Sequence, residues 1–243
     1  MKRVVVTGPI ESAAEYADAA RAVGWEAVEY PLARIVPHRH DVSDVLKSKF
    51  QWLCVTSSNA LAFVDDLRRA WPPLSDVPCA VVGERSAERT RALGLRTVLV
   101  ASGSEELATE IAALTPPGAL ALWPRGNLSD ELAERLRSSG IVVVDPVVYA
   151  TEPLESVDKA PPADALFFAS PSGVRAWHDR ELARAVDAEP TRELACIAIA
   201  IGRTTLDALM AEREILFADS VALPEPTPAA FALVLQHLDV ADR

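Results

Sequence analysis

Two short segments share the same order of residue types. In each, an apolar, strand-like run ends at a glycine, a hydroxyl side chain follows within three residues, and a helical pattern begins. They read AVVGERSAERTRAL at residues 80–93 and AIAIGRTTLDALM at residues 198–210. Neither has the lysine or the additional glycines of a nucleotide-binding loop, which disfavours a nucleotide ligand. A helix that begins at such a turn presents free N–H groups and the positive end of its dipole, and both attract anions. The two turns therefore indicate an anionic ligand without a compact phosphate group.

Glycine and hydroxyl residues also follow most of the other apolar runs. These positions are residues 7–8, 56–59, 102–104, 125–127, 170–173 and 219–220. Ligands of open parallel sheets bind outside the carboxyl ends of the strands, which is where these residues would gather. Serine, threonine and asparagine are common helix caps, so any one of these turns can be purely structural. As a set, they predict a site with many backbone and hydroxyl donors rather than a few charged groups.

The composition disfavours several classes of protein. Half of the 243 residues are hydrophobic, which excludes a disordered chain. The net charge of −11 disfavours non-specific nucleic-acid binding, which needs a basic surface. No apolar run is long enough to span a membrane, and the N-terminal MKRVVVTGP is too short for a secretory signal. Cys54, Cys79 and Cys196 lie in apolar runs without paired spacing, which is typical of reduced thiols in a cytoplasmic protein.

Short apolar runs alternate with helix-period segments along the whole chain, a pattern typical of parallel α/β sheets. The predicted strands are Arg3–Thr7, Glu26–Tyr30, Trp52–Ser57, Pro78–Gly83, Thr97–Ala101, Leu120–Trp123, Ile141–Val144, Ala165–Ala169, Cys196–Ile201 and Ile215–Ala218. This number is about twice that of a typical sheet. The pattern therefore predicts two sheets, with a single ten-stranded sheet as the alternative.

Two proline-marked extended stretches, residues 30–38 and 145–153, divide these strands into groups. Five strands lie between the stretches, while two precede the first and three follow the second. The terminal segments together therefore also supply five strands, and we predict two flavodoxin-like, doubly wound α/β domains joined by two linker segments. The first domain comprises residues 1–31 and 152–243, the inserted second domain comprises residues 38–146, and the linkers are residues 32–37 and 147–151.

Seven segments along the chain carry a resemblance to a known family. They are CVTSSNALAF (54–63), AVVGERSAERTRALG (80–94), LWPRGNLSDELAERLRSSG (122–140), VVYATEP (147–153), FFASPSGVRAW (167–177), AIGRTTLDAL (200–209) and PEPTPAAF (224–231). In this order they resemble the uroporphyrinogen-III synthase family, and they extend over nearly the whole chain. The resemblance implies two flavodoxin-like domains on a two-segment linker, with the active site in the cleft between them.

The resemblance also implies an activity, that of a cofactor-free lyase that closes hydroxymethylbilane with inversion of its ring D. Loss of the hydroxymethyl hydroxyl starts this reaction and calls for a weak acid. Tyr149 in VVYATEP matches the family's linker tyrosine and would be that acid; a tyrosine packed at the domain boundary is the alternative. The eight carboxylates of the substrate suit donors at strand ends. The candidate substrate-binding residues are Thr7, Ser57, Ser58, Gly83, Ser86, Arg125, Gly126, Ser170, Ser172, Arg203, Thr204 and Thr205.

Several smaller expectations complete this prediction. Gly8 stands where the family usually has arginine, and Thr205 is expected to cap its helix. The PHRH segment at residues 37–40 is expected to be a linker turn, because no carboxylate or cysteine lies at metal-ligand spacing. The chain is expected to act as a cytoplasmic monomer on hydroxymethylbilane, without metal, cofactor, nucleic acid or membrane. The alternative function is a non-catalytic two-domain sensor that binds a tetrapyrrole or another polyanion in the same cleft.

Overall fold

The computed structural model describes residues 1–38, 45, 48–154, 161–184, 192–212 and 215–241. The chain forms two compact units. Unit 1 comprises Met1–Ile35 and Glu152–Arg243, and unit 2 is the continuous segment Val36–Thr151. The chain therefore passes between the units twice.

Strands and helices alternate along most of the described chain. The strands are β1 (Arg3–Thr7), β2 (Glu26–Glu29), β3 (Ala33–Pro37), β4 (Trp52–Val55), β5 (Cys79–Val82), β6 (Thr97–Ala101), β7 (Leu120–Leu122), β8 (Arg125–Gly126), β9 (Val142–Val144), β10 (Val147–Pro153), β11 (Ala165–Phe168), β12 (Arg192–Ala200) and β13 (Ile215–Ala222). The α-helices are α1 (Ile10–Ala22), α2 (Leu61–Ala70), α3 (Glu84–Ala92), α4 (Ser104–Leu114), α5 (Glu131–Ser138), α6 (Pro171–Arg184), α7 (Arg203–Ala211) and α8 (Pro228–Ala241).

Unit 1 contains a five-stranded parallel sheet in the order β13-β12-β11-β1-β2. Side chains alternate along a strand, so Val4 and Val6 of β1 pack with α1 and α8 on one face of the sheet. Val5 packs with α6 and α7 on the opposite face. Both faces are covered by helices, which is why the strands read as continuous apolar runs. The strand order is that of a flavodoxin-like sheet.

Unit 2 contains a second five-stranded parallel sheet in the order β6-β5-β4-β7-β9. Leu53 and Val55 of β4 pack with α2 and α3, whereas Cys54 packs with α4 and α5 on the other face. This sheet is also doubly wound. Counted along the chain, its order is 3-2-1-4-5, which differs from the flavodoxin-like order expected for this domain. It matches a dinucleotide-binding sheet without its sixth strand, although the sequence has no nucleotide-binding motif.

The two chain crossings lie on β3 and β10, which are neighbours in a three-stranded sheet in the order β3-β10-β8. β10 and β8 run parallel, with Tyr149 opposite Gly126, and the register shifts between Val147 and Tyr149. The sequence predicts extended chain at both crossings. It does not predict the short strand β8, which follows β7 after two residues and joins β10.

The predicted α/β class with two doubly wound parallel sheets is confirmed, and each of the ten predicted strands has a counterpart in these sheets. The alternative of a single ten-stranded sheet is wrong, because the strands divide into two sheets of five. Each sheet has its own pair of core clusters, one on either face. None of the described helices is both long and apolar enough to cross a membrane.

Candidate functional site

The crevice of unit 2 lies where the connections change sides of the sheet. α2 follows β4 on one face and α5 follows β7 on the other, so the carboxyl ends of these neighbouring strands flank the switch point. Open α/β sheets bind their ligands at this point. Thr56 directly follows β4, and Trp123 directly follows β7. Trp123 Nε1 donates a hydrogen bond of 3.0 Å to Thr56 Oγ1, which joins the two strand ends.

A pocket opens at this switch point. The pocket has a volume of about 110 Å³, and it is lined by Thr56, Trp123, Arg125, Gly126, Leu128, Ser129, Tyr149 and Thr151. All of these residues belong to unit 2. Small-molecule sites usually measure about 300–1,000 Å³, so this pocket is smaller than a typical ligand site and can take no more than one small ring.

The Tyr149 ring lies directly against Gly126, its partner on β8. A Cβ atom at residue 126 would lie 2.6 Å from Cε2 and Cζ of Tyr149 and 2.9 Å from its hydroxyl oxygen. Any side chain at residue 126 would therefore displace the ring. In the described part of the chain, the Tyr149 hydroxyl makes no hydrogen bond, so its donor and acceptor are available to a ligand in the pocket.

The Arg125 guanidinium is fixed at the wall of the pocket. Nε donates a hydrogen bond of 2.9 Å to Asp145 Oδ2, and Nη1 donates to the backbone carbonyls of Gly126 at 3.1 Å and Ser129 at 3.3 Å. The guanidinium carbon lies 5.8 Å from the centre of the Trp123 ring, within the range of a cation–π contact. The Arg125 side chain is 18% exposed, so it belongs to the wall and is not a freely solvated surface arginine.

The corresponding crevice of unit 1 lies between β1 and β11 and is built from small side chains. Thr7 is 2% exposed, and its hydroxyl donates a hydrogen bond of 2.7 Å to the Phe167 carbonyl. Ser170 Oγ accepts a hydrogen bond of 3.0 Å from the Gly173 N–H and so caps α6. The same oxygen lies 3.0 Å from Ser172 Oγ. These three hydroxyls are already bonded within unit 1.

The two glycine turns that look alike in the sequence differ in the structure. Gly83 has a φ of 80°, a left-handed conformation that favours glycine, whereas the φ of −177° at Gly202 is open to any residue. Ser86 is 9% exposed within the first turn of α3. Thr205 is 2% exposed and lies inside the first turn of α7, because the helix begins directly after Gly202. The prediction that Thr205 caps this helix is therefore wrong; the cap residue is Gly202.

The other candidates lie at separate strand ends. Ser57 accepts a hydrogen bond of 3.2 Å from the Asn59 N–H and caps a short 3₁₀ helix that begins at Ser58. Arg203 is 83% exposed and forms a 3.0 Å ion pair with Asp207. Thr204 is exposed beside it.

The structure thus brings only part of the predicted set together. Arg125, Gly126 and Tyr149 line one pocket. The remaining candidates are divided among the unit 1 crevice (Thr7, Ser170, Ser172), the end of β4 (Ser57, Ser58), the end of β5 (Gly83, Ser86) and the end of β12 (Arg203, Thr204, Thr205). Thr56 and Trp123 also line the pocket, although neither is among the candidate site residues. Both residues lie at the ends of predicted strands, β4 and β7. The sequence does not show that these two strand ends are neighbours, because that depends on the strand order.

The cysteines offer no alternative nucleophile. Burial raises the pKa of the Cys79 thiol to about 12 and that of the Cys196 thiol to about 11. Burial also raises the pKa of Cys54, which is fully buried. Thiols of this kind stay protonated at neutral pH and react poorly.

The segment considered for a metal lies partly at the end of β3. The His38 N–H donates a hydrogen bond of 2.8 Å to the Val148 carbonyl, while residues 39 and 40 lie outside the described residues. Across the described ranges, no group of three His, Cys, Asp or Glu side chains could hold a metal ion.

Comparison with known proteins adds a family and a fold. The model of a family described as uroporphyrinogen-III synthase HemD matches residues 14–231. A mutant uroporphyrinogen III synthase from the extremely thermophilic bacterium Thermus thermophilus is structurally similar with a TM-score of 0.66 at 19% identity, covering 99% of this chain and 98% of that one. The uroporphyrinogen-III synthetase of Helicobacter pylori gives a TM-score of 0.63 at 18% identity, covering 98% of this chain and 100% of that one. A search of curated proteins finds no match.

Proposed function

The chain belongs to the uroporphyrinogen-III synthase family, and on this premise we propose that it is the lyase that cyclises hydroxymethylbilane to uroporphyrinogen III. Ring D is inverted in this reaction and water is released, without a cofactor. The proposed chemistry is assigned to Tyr149 and Arg125 from one observation. Tyr149, whose hydroxyl has no partner in the described part of the chain, lines the switch-point pocket of unit 2 together with Arg125.

Tyr149 is the proposed general acid. A phenol carries its proton at neutral pH and can donate it to the hydroxyl of the hydroxymethyl group, which then leaves as water. Contact with Gly126 fixes the direction of the phenol ring. Because the reacting groups must be held close to their attacking geometry, this fixed position contributes as much as the acidity of the group.

The proton balance of the proposed reaction needs no further reactant. Departure of water leaves a conjugated cation on the linear tetrapyrrole, and Tyr149 is left as a phenolate. The substituted carbon of ring D attacks this cation, forming a spiro intermediate that fragments and closes again. The ring then loses one proton as it regains aromaticity, and this proton restores the Tyr149 phenol. Arg125 lines the same pocket, where its positive charge is available to a carboxylate of the substrate.

The carboxylates of the substrate outside the pocket require donors elsewhere. We assign these contacts to candidate groups at other strand ends, namely Ser57, Ser58, Gly83, Ser170, Ser172, Arg203 and Thr204. Each such hydrogen bond contributes about 1 kcal/mol, so several are needed for micromolar binding. A cytoplasmic location is part of the proposal, and the three buried free thiols support it.

The test is incubation of the purified protein with freshly prepared hydroxymethylbilane, followed by chromatographic separation of the oxidised product isomers. We expect the type III isomer, at a rate that chelators and added nucleotides leave unchanged. Formation of only the type I isomer at the spontaneous rate would overturn the proposal and favour the tetrapyrrole sensor.

A further inference from the structure

We infer that Asp145 is a positioning residue of the unit 2 pocket. Asp145 holds the Arg125 guanidinium so that the free Nη2 of Arg125 binds one carboxylate of a ring seated beside Tyr149. The identity of the ligand rests on the proposed function. The geometry that supports the inference comes from the hydrogen bonds, burial and charge of the residues around Asp145.

Asp145 is bound on both oxygens. Oδ2 accepts the hydrogen bond from Arg125 Nε at 2.9 Å, and Oδ1 accepts one of 2.5 Å from Nη2 of Arg137, which lies on α5. The Asp145 side chain is 15% exposed, and that of Arg137 is 47% exposed. With one arginine on each oxygen, the carboxylate cannot rotate without losing a charged hydrogen bond, so it is a rigid support for Arg125.

The charges around Asp145 leave the site attractive to an anion. One carboxylate lies between two guanidinium groups, so the three side chains together carry one net positive charge. A single Arg–Asp pair at this position would be neutral. Arg137 therefore holds Asp145 in place, and because Asp145 is shared between two arginines it does not fully neutralise the charge of Arg125.

The hydrogen bonds of Arg125 leave one end of its guanidinium for a ligand. An arginine has five N–H donors in a fixed planar arrangement. Asp145 takes the one on Nε, and the carbonyls of Gly126 and Ser129 take those on Nη1. Within the described chain, Nη2 makes no hydrogen bond. Two donors thus remain on a group whose other atoms are all held.

The chemistry of these donors selects an acidic substituent. Arginine binds a carboxylate through charge-assisted hydrogen bonds, which are stronger than those between neutral groups. The pocket is far too small for a linear tetrapyrrole and can take at most one of its rings, so a single acidic side chain of that ring would meet Nη2. This contact would place the same ring next to the Tyr149 hydroxyl. Without Asp145, the Nε donor would lose its partner and the guanidinium could turn away from the ligand.

The experiment compares Asp145→Asn with Asp65→Asn. Asp65 is the matched control, because its carboxylate is 16% exposed and also bridges two arginines, Arg68 and Arg69, but it lies on α2 and does not line the pocket. Binding of uroporphyrin III, the stable oxidised form of the proposed product, is measured by porphyrin fluorescence, and turnover and thermal unfolding are measured on the same samples. We expect Asp145→Asn to raise the Kd and the KM about tenfold, while kcat changes less than about twofold.

Asp65→Asn is expected to bind uroporphyrin III as wild type does, whatever its thermal stability, and Asp145→Glu should recover most of the affinity. An unchanged Kd in Asp145→Asn, an equal loss in both Asn variants, or no binding of the porphyrin by the wild type would overturn the inference. A wild type that binds the porphyrin with the expected Asp145 dependence but forms no type III isomer would uphold the inference and overturn the proposed synthase activity.

Discussion

Units 1 and 2 place their crevices by the same topological rule but fill them differently. In unit 1 the crevice is lined by small groups, and a Cβ atom at Gly8 would make ordinary contacts with Ser12 Oγ at 3.4 Å and Ala169 Cβ at 3.5 Å. In unit 2 the crevice leads into a pocket walled by Trp123, Arg125 and other side chains. The switch point of a doubly wound sheet therefore determines where a ligand can bind, but it does not determine how deeply the ligand is enclosed.

The difference arises from chain outside the five-stranded sheets. Strand β8 follows β7 almost at once and pairs with β10, one of the two crossing strands. This pairing brings Tyr149 onto Gly126 beside the unit 2 crevice. A crossing strand is thus a wall of the proposed site as well as a connection. The unit 1 crevice holds hydroxyls that are bonded within that unit, whereas the unit 2 pocket holds the proposed acid and an arginine.

Removal of the proposed acid should have the largest effect. Tyr149→Phe keeps the ring and its contact with Gly126 but loses the proton, so turnover should fall about tenfold to a hundredfold with little change in Tm. Tyr16→Phe in unit 1 is the control, because its hydroxyl donates a hydrogen bond of 3.2 Å to the Pro226 carbonyl. That variant should lose stability and keep its turnover. Wild-type turnover in Tyr149→Phe would make Tyr149 a packing residue.

The glycine turns should respond differently to the same substitution. Gly83→Ala forces a Cβ onto a backbone with φ 80° and ψ 145°, and we expect the free energy of unfolding to fall by about 2 kcal/mol. A Cβ atom at Gly202 would have no atom within 4 Å, and the backbone there is extended. Gly202→Ala should therefore lower the free energy of unfolding by less than about 1 kcal/mol. Urea unfolding of both variants measures the difference. Equal losses would mean that the two turns are equivalent.

A smaller effect is expected where the Tyr149 ring rests on β8. Gly126→Ala would bring a Cβ 2.6 Å from the ring, so the ring must move and turnover should fall about tenfold. Gly8→Ala tests the same change in the unit 1 crevice, where the contacts of 3.4 to 3.8 Å are ordinary. We expect near wild-type turnover there. If Gly8→Ala is the more damaging variant, the functional contrast between the two crevices is wrong.

The smallest effect concerns the exposed hydroxyl at the start of α7. Thr204→Val should weaken porphyrin binding only a few-fold, since one hydrogen bond contributes about 1 kcal/mol. The neighbouring Thr205 is 2% exposed, so Thr205→Val should leave binding unchanged. Fluorescence titrations of the two variants under identical conditions separate these outcomes. A greater loss of affinity in Thr205→Val would show that burial does not separate the two threonines.

The sequence predicts the sheets well because their signal is local. Apolar runs such as that of β1 bury side chains on both faces, and helices follow them at regular intervals. The site is harder to predict because it depends on which strand ends are neighbours. The hydroxyl of Thr7 lies at a strand end but is bonded within unit 1, while Trp123, the last residue of a predicted strand, lines the pocket. The ion pair between Arg125 and Asp145 joins residues 20 positions apart, and no local pattern indicates it.

The insertion of unit 2 into unit 1 has a consequence for synthesis of the chain on the ribosome. Strand β1 pairs with β11, and Phe168, the partner of Thr7, is synthesised about 160 residues later. At about 5–20 residues per second, this delay lasts about 8 to 30 seconds. Unit 2 is a continuous segment and is complete before β11 is made. We expect unit 2 to fold first, while the apolar strand β1 still lacks its neighbour β11 and is exposed to aggregation during this interval.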